Sequence, residues 1–130
     1  MINSTSFNYI DVLDKASDAS WTRESLIANN IANVDTVGYK RQDINFESVL
    51  QKEIGHSKFK SLDDRINSID MNKLNPSVYT DSSNYSYRMD GNNVDIDSEQ
   101  VELASEQIKY KTLAASISSE FSRMKTAMGR

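Results

Sequence analysis

Hydrophobic positions follow a helical period at both ends of the chain and lose it in between. Near the C-terminus Leu103, Tyr110, Ile117 and Met124 recur every seven residues. Four residues after each of them stand Gln107, Ala114, Phe121 and Met128 at the same step. With Leu113 and Ala127 alongside, this is a 3–4 apolar stripe that predicts one long amphipathic helix. Neither Gly nor Pro interrupts residues 98–128, and Asp97 with Gln100 three residues on reads as its capping pair. Such a helix is roughly 45 Å long at 1.5 Å per residue, and a single apolar face of that length needs a partner helix.

The other end of the chain supplies one. Ile10, Leu13, Ala16 or Ser17, Ser20, Ile27, Ile31 and Val34 keep a weaker 3–4 spacing, flanked at seven-residue steps by Val12, Ala19 and Leu26. A helix from about residue 8 to 33 is predicted. Its centre, Ser17 to Ser25, has no large apolar residue except Trp21, so it permits close approach but is marginal alone. Thr36-Val37-Gly38-Tyr39 then reads as a turn with Gly38 at positive φ. Phe46, Val49, Leu50 and Ile54 fit a short helix ended by Gly55. Phe59, Leu62, Ile66 and Ile69 fit a weaker one capped by Ser61 with Asp64, and Asn75-Pro76 closes it. Residues 77–84 are turn-rich and read as flexible. Tyr85, Tyr87 and Met89, the Asp90-Gly91 turn, then Val94 and Ile96 alternate as in a small β hairpin or extended arm.

The expected fold is therefore mostly α. The terminal helices pair as an antiparallel coiled coil, bringing Phe7, Tyr9, Ile10 and Leu13 to Phe121, Met124 and Met128, and a polar, partly flexible middle projects from the far end. This divides the chain into an N-terminal helix (1–35), a turn, short helix and polar middle (36–97) and a C-terminal helix (98–130), the first and last forming one helical-pair domain. Candidate helix-pairing residues are Ile10, Leu13, Ile27, Ile31, Leu103, Tyr110, Ile117, Phe121 and Met124.

Composition narrows the function classes. The 130 residues are 38% hydrophobic and include 19 Ser and 12 Asn, which suits packed helices better than one large core. Fifteen basic against 19 acidic residues leave a net charge of −4, so no overall field draws the chain to nucleic acid. There is no cysteine, hence no disulfide or thiolate chemistry. No apolar run approaches the ~18 residues of a membrane span. The first residues lack a basic start or apolar run, so any export is expected without a cleaved signal peptide. His56 lies in a polar loop without partners at catalytic spacing and reads as solvent-exposed. Asp90 to Glu99 is rich in oxygen ligands, but a calcium loop needs Gly where Asp95 stands and Glu where Val101 stands. That segment reads as a turn, an extended piece and a helix cap. Tyr39-Lys40-Arg41 reads as a solvated turn. No catalytic, metal-binding or cofactor-binding residue is identified, and no enzyme is expected.

One segment is more specific. Residues 28–41, Ala-Asn-Asn-Ile-Ala-Asn-Val-Asp-Thr-Val-Gly-Tyr-Lys-Arg, resemble the N-terminal signature of the flagellar axial proteins, the rod and hook family. There an ANNIAN-type helix end leads into a Gly-Tyr turn. Asn29, Asn30, Asn33, Gly38 and Tyr39 are the matching turn residues; Val37 stands where the family commonly has proline. The Phe46–Leu50 segment fits the short helix expected next. Asp90-Gly91-Asn92-Asn93-Val94-Asp95, followed by Gln107, Tyr110 and Phe121, is similar to the C-terminal half of the proximal-rod branch of that family. The resemblance implies a structural subunit of the basal-body rod, in the cell envelope. It implies transit through the flagellar type III export apparatus and terminal helices that pair on assembly into a torque-transmitting helical tube. Implied partners are further copies, other rod proteins, and ring and export-gate components at the rod base, with no nucleic acid and no direct membrane insertion. Competing readings are another rod or hook paralogue, a cytoplasmic coiled-coil adaptor or chaperone, and a calcium-binding module.

Overall fold

A computed structural model describes residues 4–55, 60–82 and 88–129. In chain order it contains α1 (Ser4–Ala32), β1 (Gln42–Ile44), α2 (Phe46–Ile54), α3 (Leu62–Asn67), a 3-10 turn (Met71–Lys73), β2 (Val78–Thr80) and α4 (Ile96–Ala127). The readings of His56, Phe59, Tyr85 and Tyr87 lie outside the described residues.

The terminal helices lie antiparallel, as cross-links between them show. Asn30 of α1 reaches Glu99 of α4, and Ser20 reaches Glu106. Trp21 and Asp14 flank a groove with Tyr110 and Ile117. Three rows at 3–4 spacing run along α1 and have different partners. The row that contains Ile10, Ser17, Ser20 and Ile27, all buried, includes the residues that meet α4. A second row, through Tyr9, Val12, Ala16, Ala19, Arg23, Leu26 and Asn30, meets the middle of the chain. The third, through Asp11, Asp14, Asp18, Trp21, Ser25 and Ala28, is exposed.

The second row overturns the expectation that the middle projects from the far end. Val12 and Ala19 form a buried cluster with Ile44, Phe46, Ile66, Ile69 and Leu74, against which Tyr9, Ala16 and Leu26 pack. Every one of those middle residues is apolar, and burying them along α1 removes more surface from water than extending them would. Polar groups fix the register. Asn8 Nδ2 donates to Asn67 Oδ1 (2.8 Å), Tyr9 Oη to Asp63 Oδ1 (2.7 Å) and Lys15 Nζ to Asn75 Oδ1 (3.2 Å). The seven-residue step of Val12, Ala19 and Leu26 thus marks a second packed face rather than a flank of the first.

Local signals place the short elements well. α2 ends before Gly55, and Ser61 caps α3 by accepting the Asp64 N–H (3.2 Å). Two expectations are corrected. Among the described residues the small sheet is not at the Asp90-Gly91 turn. It pairs β1 with β2 antiparallel, Gln42 opposite Thr80, Asp43 opposite Tyr79 and Ile44 opposite Val78. The Asp90-Gly91 turn is present, but residues 92–95 form no strand and Ile96 already starts a helix. Second, α4 is capped by Asp95, not Asp97. The Asp95 carboxylate accepts the N–H groups of Asp97 (3.1 Å) and Ser98 (3.4 Å), because the extended backbone before it delivers Asp95 to the helix start.

Leu74 is fully buried directly after the 3-10 turn, beneath α1. Leu74→Ala is expected to cost about 3 kcal/mol of unfolding free energy in a denaturant titration. Amide exchange in the N-terminal half of α1 should accelerate with it.

Candidate functional site: a polar seam between the terminal helices

The packed row of α4 runs Glu99, Leu103, Glu106, Tyr110, Leu113, Ile117, Glu120 and Met124. Leu103, Tyr110, Ile117 and Met124, seven residues apart, lie in this row. The second set differs: the inward positions are those three residues after Leu103, Tyr110 and Ile117, not four. Glutamates occupy much of that set, and the only buried side chains of α4 are Glu99 and Glu106. Phe121 (53% exposed) and Met128 (55%) stand outward, Tyr110 is exposed at the edge (38%), and Leu103, Ile117 and Met124 are half-buried. On α1, Ile10 and Ile27 are buried and Leu13 and Ile31 half-buried. In the single chain the seam therefore lacks the continuous apolar core of a coiled coil.

Buried carboxylates need partners, and α1 with β1 supplies them. Glu106 accepts from Ser20 Oγ (2.7 Å) and from Arg23 Nη1 (2.9 Å). Arg23 sits in the α1 row that faces the middle, and its fork also reaches Asp43 (3.0 Å), the Ile44 carbonyl (3.0 Å) and both oxygens of Glu47. Lys109 closes the ring onto Glu47. One guanidinium thus ties α1, β1, α2 and α4 together. Its pKa is pushed up, first by the Glu47 hydrogen bonds, against the opposing effect of burial, and then by Glu106.

A second knot lies nearer the start of α4. Glu99 accepts from Arg41 Nε (2.8 Å) and Asn30 Nδ2 (3.1 Å). Burial works to lower the Arg41 pKa, but its bonds to Glu99 and Asp43 outweigh it and the net shift is upward. Asn30, fully buried, also mimics a strand. It donates to the Gln42 carbonyl (2.9 Å) and accepts the Gln42 N–H (2.9 Å), while Tyr39 Oη donates to the same oxygen (3.0 Å). Tyr39-Lys40-Arg41 is consequently not a solvated turn. Tyr39 is held by Asn29 and Asn30, Lys40 by the Gly91 carbonyl (2.6 Å) and Arg41 by Glu99.

The end of α1 is closed by the other motif segment. Asn92, fully buried, directs its Nδ2 at the carbonyls of Asn33, Val34 and Thr36 (2.8–3.0 Å), so its two hydrogens are shared among three acceptors. All three carbonyls lie in the turn that follows the end of α1 at Ala32. Its Oδ1 accepts the Val94 N–H (2.8 Å). Gly38 (φ 71°) donates to the Asp90 carbonyl (2.8 Å), and Gly91 (φ 76°) lies against Gly38, so two left-handed turns stack backbone to backbone. The oxygens that suggested calcium are engaged within this turn and cap: Asp90 with Arg88 and the Asn92 N–H, Asp95 with the start of α4. Asn29, Asn30, Asn33, Gly38 and Tyr39 are thus brought together, with Asn92 of the second matching segment as their counterpart.

Comparison with known proteins agrees with this geometry. A family model described as flagella basal body rod protein matches residues 23–40, from the Arg23 knot to the Gly-Tyr turn. The flagellar basal body rod protein FlgB of Bacillus subtilis (strain 168) is 34% identical over 119 residues, 92% of this chain and 92% of its own length. FlgB of Borrelia hermsii is 37% identical over 78% of this chain and 81% of its own. The chain belongs to the FlgB family of flagellar basal body rod proteins. It is a structural subunit of the rod rather than an enzyme, its place is the basal body, and it assembles with other rod components. Membership in the FlgB family does not favour the cytoplasmic adaptor. No helix among the described residues is long and apolar enough to cross a membrane.

Arg23→Met leaves Asp43, Glu47 and Glu106 short of a cation and is expected to cost about 3–5 kcal/mol, with Arg23→Met/Glu106→Leu recovering part of it in a denaturant double-mutant cycle. Acid tests the same knot. The Arg23 hydrogen bonds, against partial burial and with help from Lys109, hold the Glu47 carboxyl down at about 2. A depressed carboxyl contributes stability above its ordinary value of 4.5, lost as pH falls toward 2. Half of Glu47 is exposed, so screening limits the effect to about 1 kcal/mol. Glu47→Gln should flatten the stability profile over that window.

Proposed function

We propose that the chain builds the proximal part of the rod, its terminal helices packing side by side with those of neighbours into a helical tube that transmits torque. The observation that carries this reading is the antiparallel helix pair with uncovered apolar residues at its terminal end. Phe7 (48%), Phe121 (53%) and Met128 (55%) are exposed there, beside Ile10, Leu13, Ile117 and Met124. A lone chain keeps that surface in water, and a tube of parallel helix pairs removes it. The coiled-coil stripe of Leu103, Tyr110, Ile117, Phe121 and Met124 with Ile10, Leu13, Ile27 and Ile31 is on this reading completed between chains. The polar turn site of Asn29, Asn30, Asn33, Gly38 and Tyr39 holds the helix pair in register.

The same reading carries the chain through the flagellar type III export apparatus into the periplasmic part of the basal body. A seam built on ion pairs and small residues buries little apolar surface, which suits a pair that must open for passage. Ring and export-gate components at the rod base are the further neighbours it proposes.

Ile117→Asp tests the helix-pairing surface. In a strain deleted for the gene, a plasmid copy of the natural chain should restore hooks and filaments seen by electron microscopy. The chain carrying Ile117→Asp should still be secreted but build no rod. Normal hooks from that variant would remove the stripe from the assembly surface.

A further inference from the structure

We propose that one copy receives the next through a charge-matched, head-to-tail contact between the outward row of α1 and the outward row of α4. This rests on the reading of the chain as a self-assembling rod subunit and names the faces that meet.

Each terminal helix has a row left without a partner in the single chain. On α4, directly opposite its packed face, Val101 (71% exposed) and Ile108 (68%) stand in water with Ala104 between them and Lys111 one turn on. On α1 the outward row carries Asp14 and Asp18, then Trp21 (63% exposed), then Ser25 and Ala28. Neither of these aspartates, nor Lys111, forms an ion pair among the described residues. Both rows repeat at 3–4 spacing, the period of a helix-packing face rather than of scattered surface residues.

Their order along the helices matches. Within one chain Ser20 sits level with Glu106 and Asn30 with Glu99. In a neighbour lying alongside in the same direction and at the same height, Lys111 falls opposite Asp14 and Asp18. Ile108 falls opposite Trp21, and Val101 and Ala104 fall opposite Ser25 and Ala28. Cation meets anions, branched apolar chains meet an aromatic face, and small residues meet where the backbones must come close. A groove of about 330 Å³ runs beside Trp21, between Asp14 and Asp18 on α1 and Tyr110 and Ala114 on α4. It offers the Lys111 stem an apolar wall and its ammonium two carboxylates and an indole face. Because the two faces are different patches of one surface, the contact is heterologous. It repeats from copy to copy instead of closing a two-fold dimer.

The chain has no cysteine, so cross-linking is free of background. Two full-length variants, Ser25→Cys and Ala104→Cys, are expressed together in the deletion strain and treated with a short bismaleimide, and isolated basal bodies are probed for dimers. A mixed dimer that neither variant forms alone is the expected result. Dimers within a single variant would show a two-fold contact and overturn the proposal. So would the absence of dimer in cells that carry normal hooks, a result that leaves the rod reading intact. Should either variant fail to support hooks, Ala28→Cys with Val101→Cys reads the same contact. Asp18→Lys should lower the fraction of flagellated cells at least roughly tenfold by setting like charges together, and adding Lys111→Glu should restore it. Failure of that rescue would overturn the charge pairing.

Discussion

Two carboxylates on α4 face α1 out of reach of water, and much of the architecture answers that fact. An ionised carboxylate taken out of water is stable only with hydrogen-bond donors and cations in fixed positions. Glu106 obtains them from Ser20 and Arg23, Glu99 from Asn30 and Arg41. Arg23 and Arg41 are in turn anchored by Asp43 and, for Arg23, by Glu47 and the Ile44 carbonyl. Moving α4 by one residue along α1 would strand both charges. An apolar seam would slide at small cost, whereas this one has a single register.

The polar seam also explains how two motifs about fifty residues apart belong to one place. Asn30 completes the edge of β1, Tyr39 and Asn29 brace it, and Asn92 closes the last turn of α1 from the other segment. Gly38 and Gly91 both adopt positive φ, which a side chain would strain, and they lie against one another where the two segments meet. The Asn-rich segment and the Asp-Gly-Asn-Asn segment are two halves of one joint.

Period and punctuation made much of this visible in the sequence. The long helices, the end of α2 at Gly55, the Ser61 cap and the turn at Gly38 all followed from spacing and residue type, since each is decided within a few neighbours. What stayed hidden was long-range. The stripe on α4 was assigned Gln107 and Phe121 in place of Glu106 and Glu120, because a charge scores as outward unless its partner is known, and Arg23 is 83 residues away from Glu106. Val12, Ala19 and Leu26 were seen at the right interval, yet nothing local showed that Ile44, Ile66 and Leu74 would fold back onto them. The strand at 78–80 carries no alternating apolar face of its own, all three residues being exposed, so only its pairing with β1 reveals it.

That pairing has an architectural meaning. Arg41 and Asp81 are joined by the Asp81 N–H to the Arg41 carbonyl (2.9 Å), and Gln42 lies opposite Thr80. The two strands therefore bring the start and the end of the segment between them together at a single narrow neck. The entropy of closing a loop grows only with the logarithm of its length, so the neck closes a longer excursion almost as readily as this short one. Beyond the neck, Ile66, Ile69 and Leu74 lie back on Val12 and Ala19 of α1, so the excursion is a flap fastened both at its hinge and along its inner face.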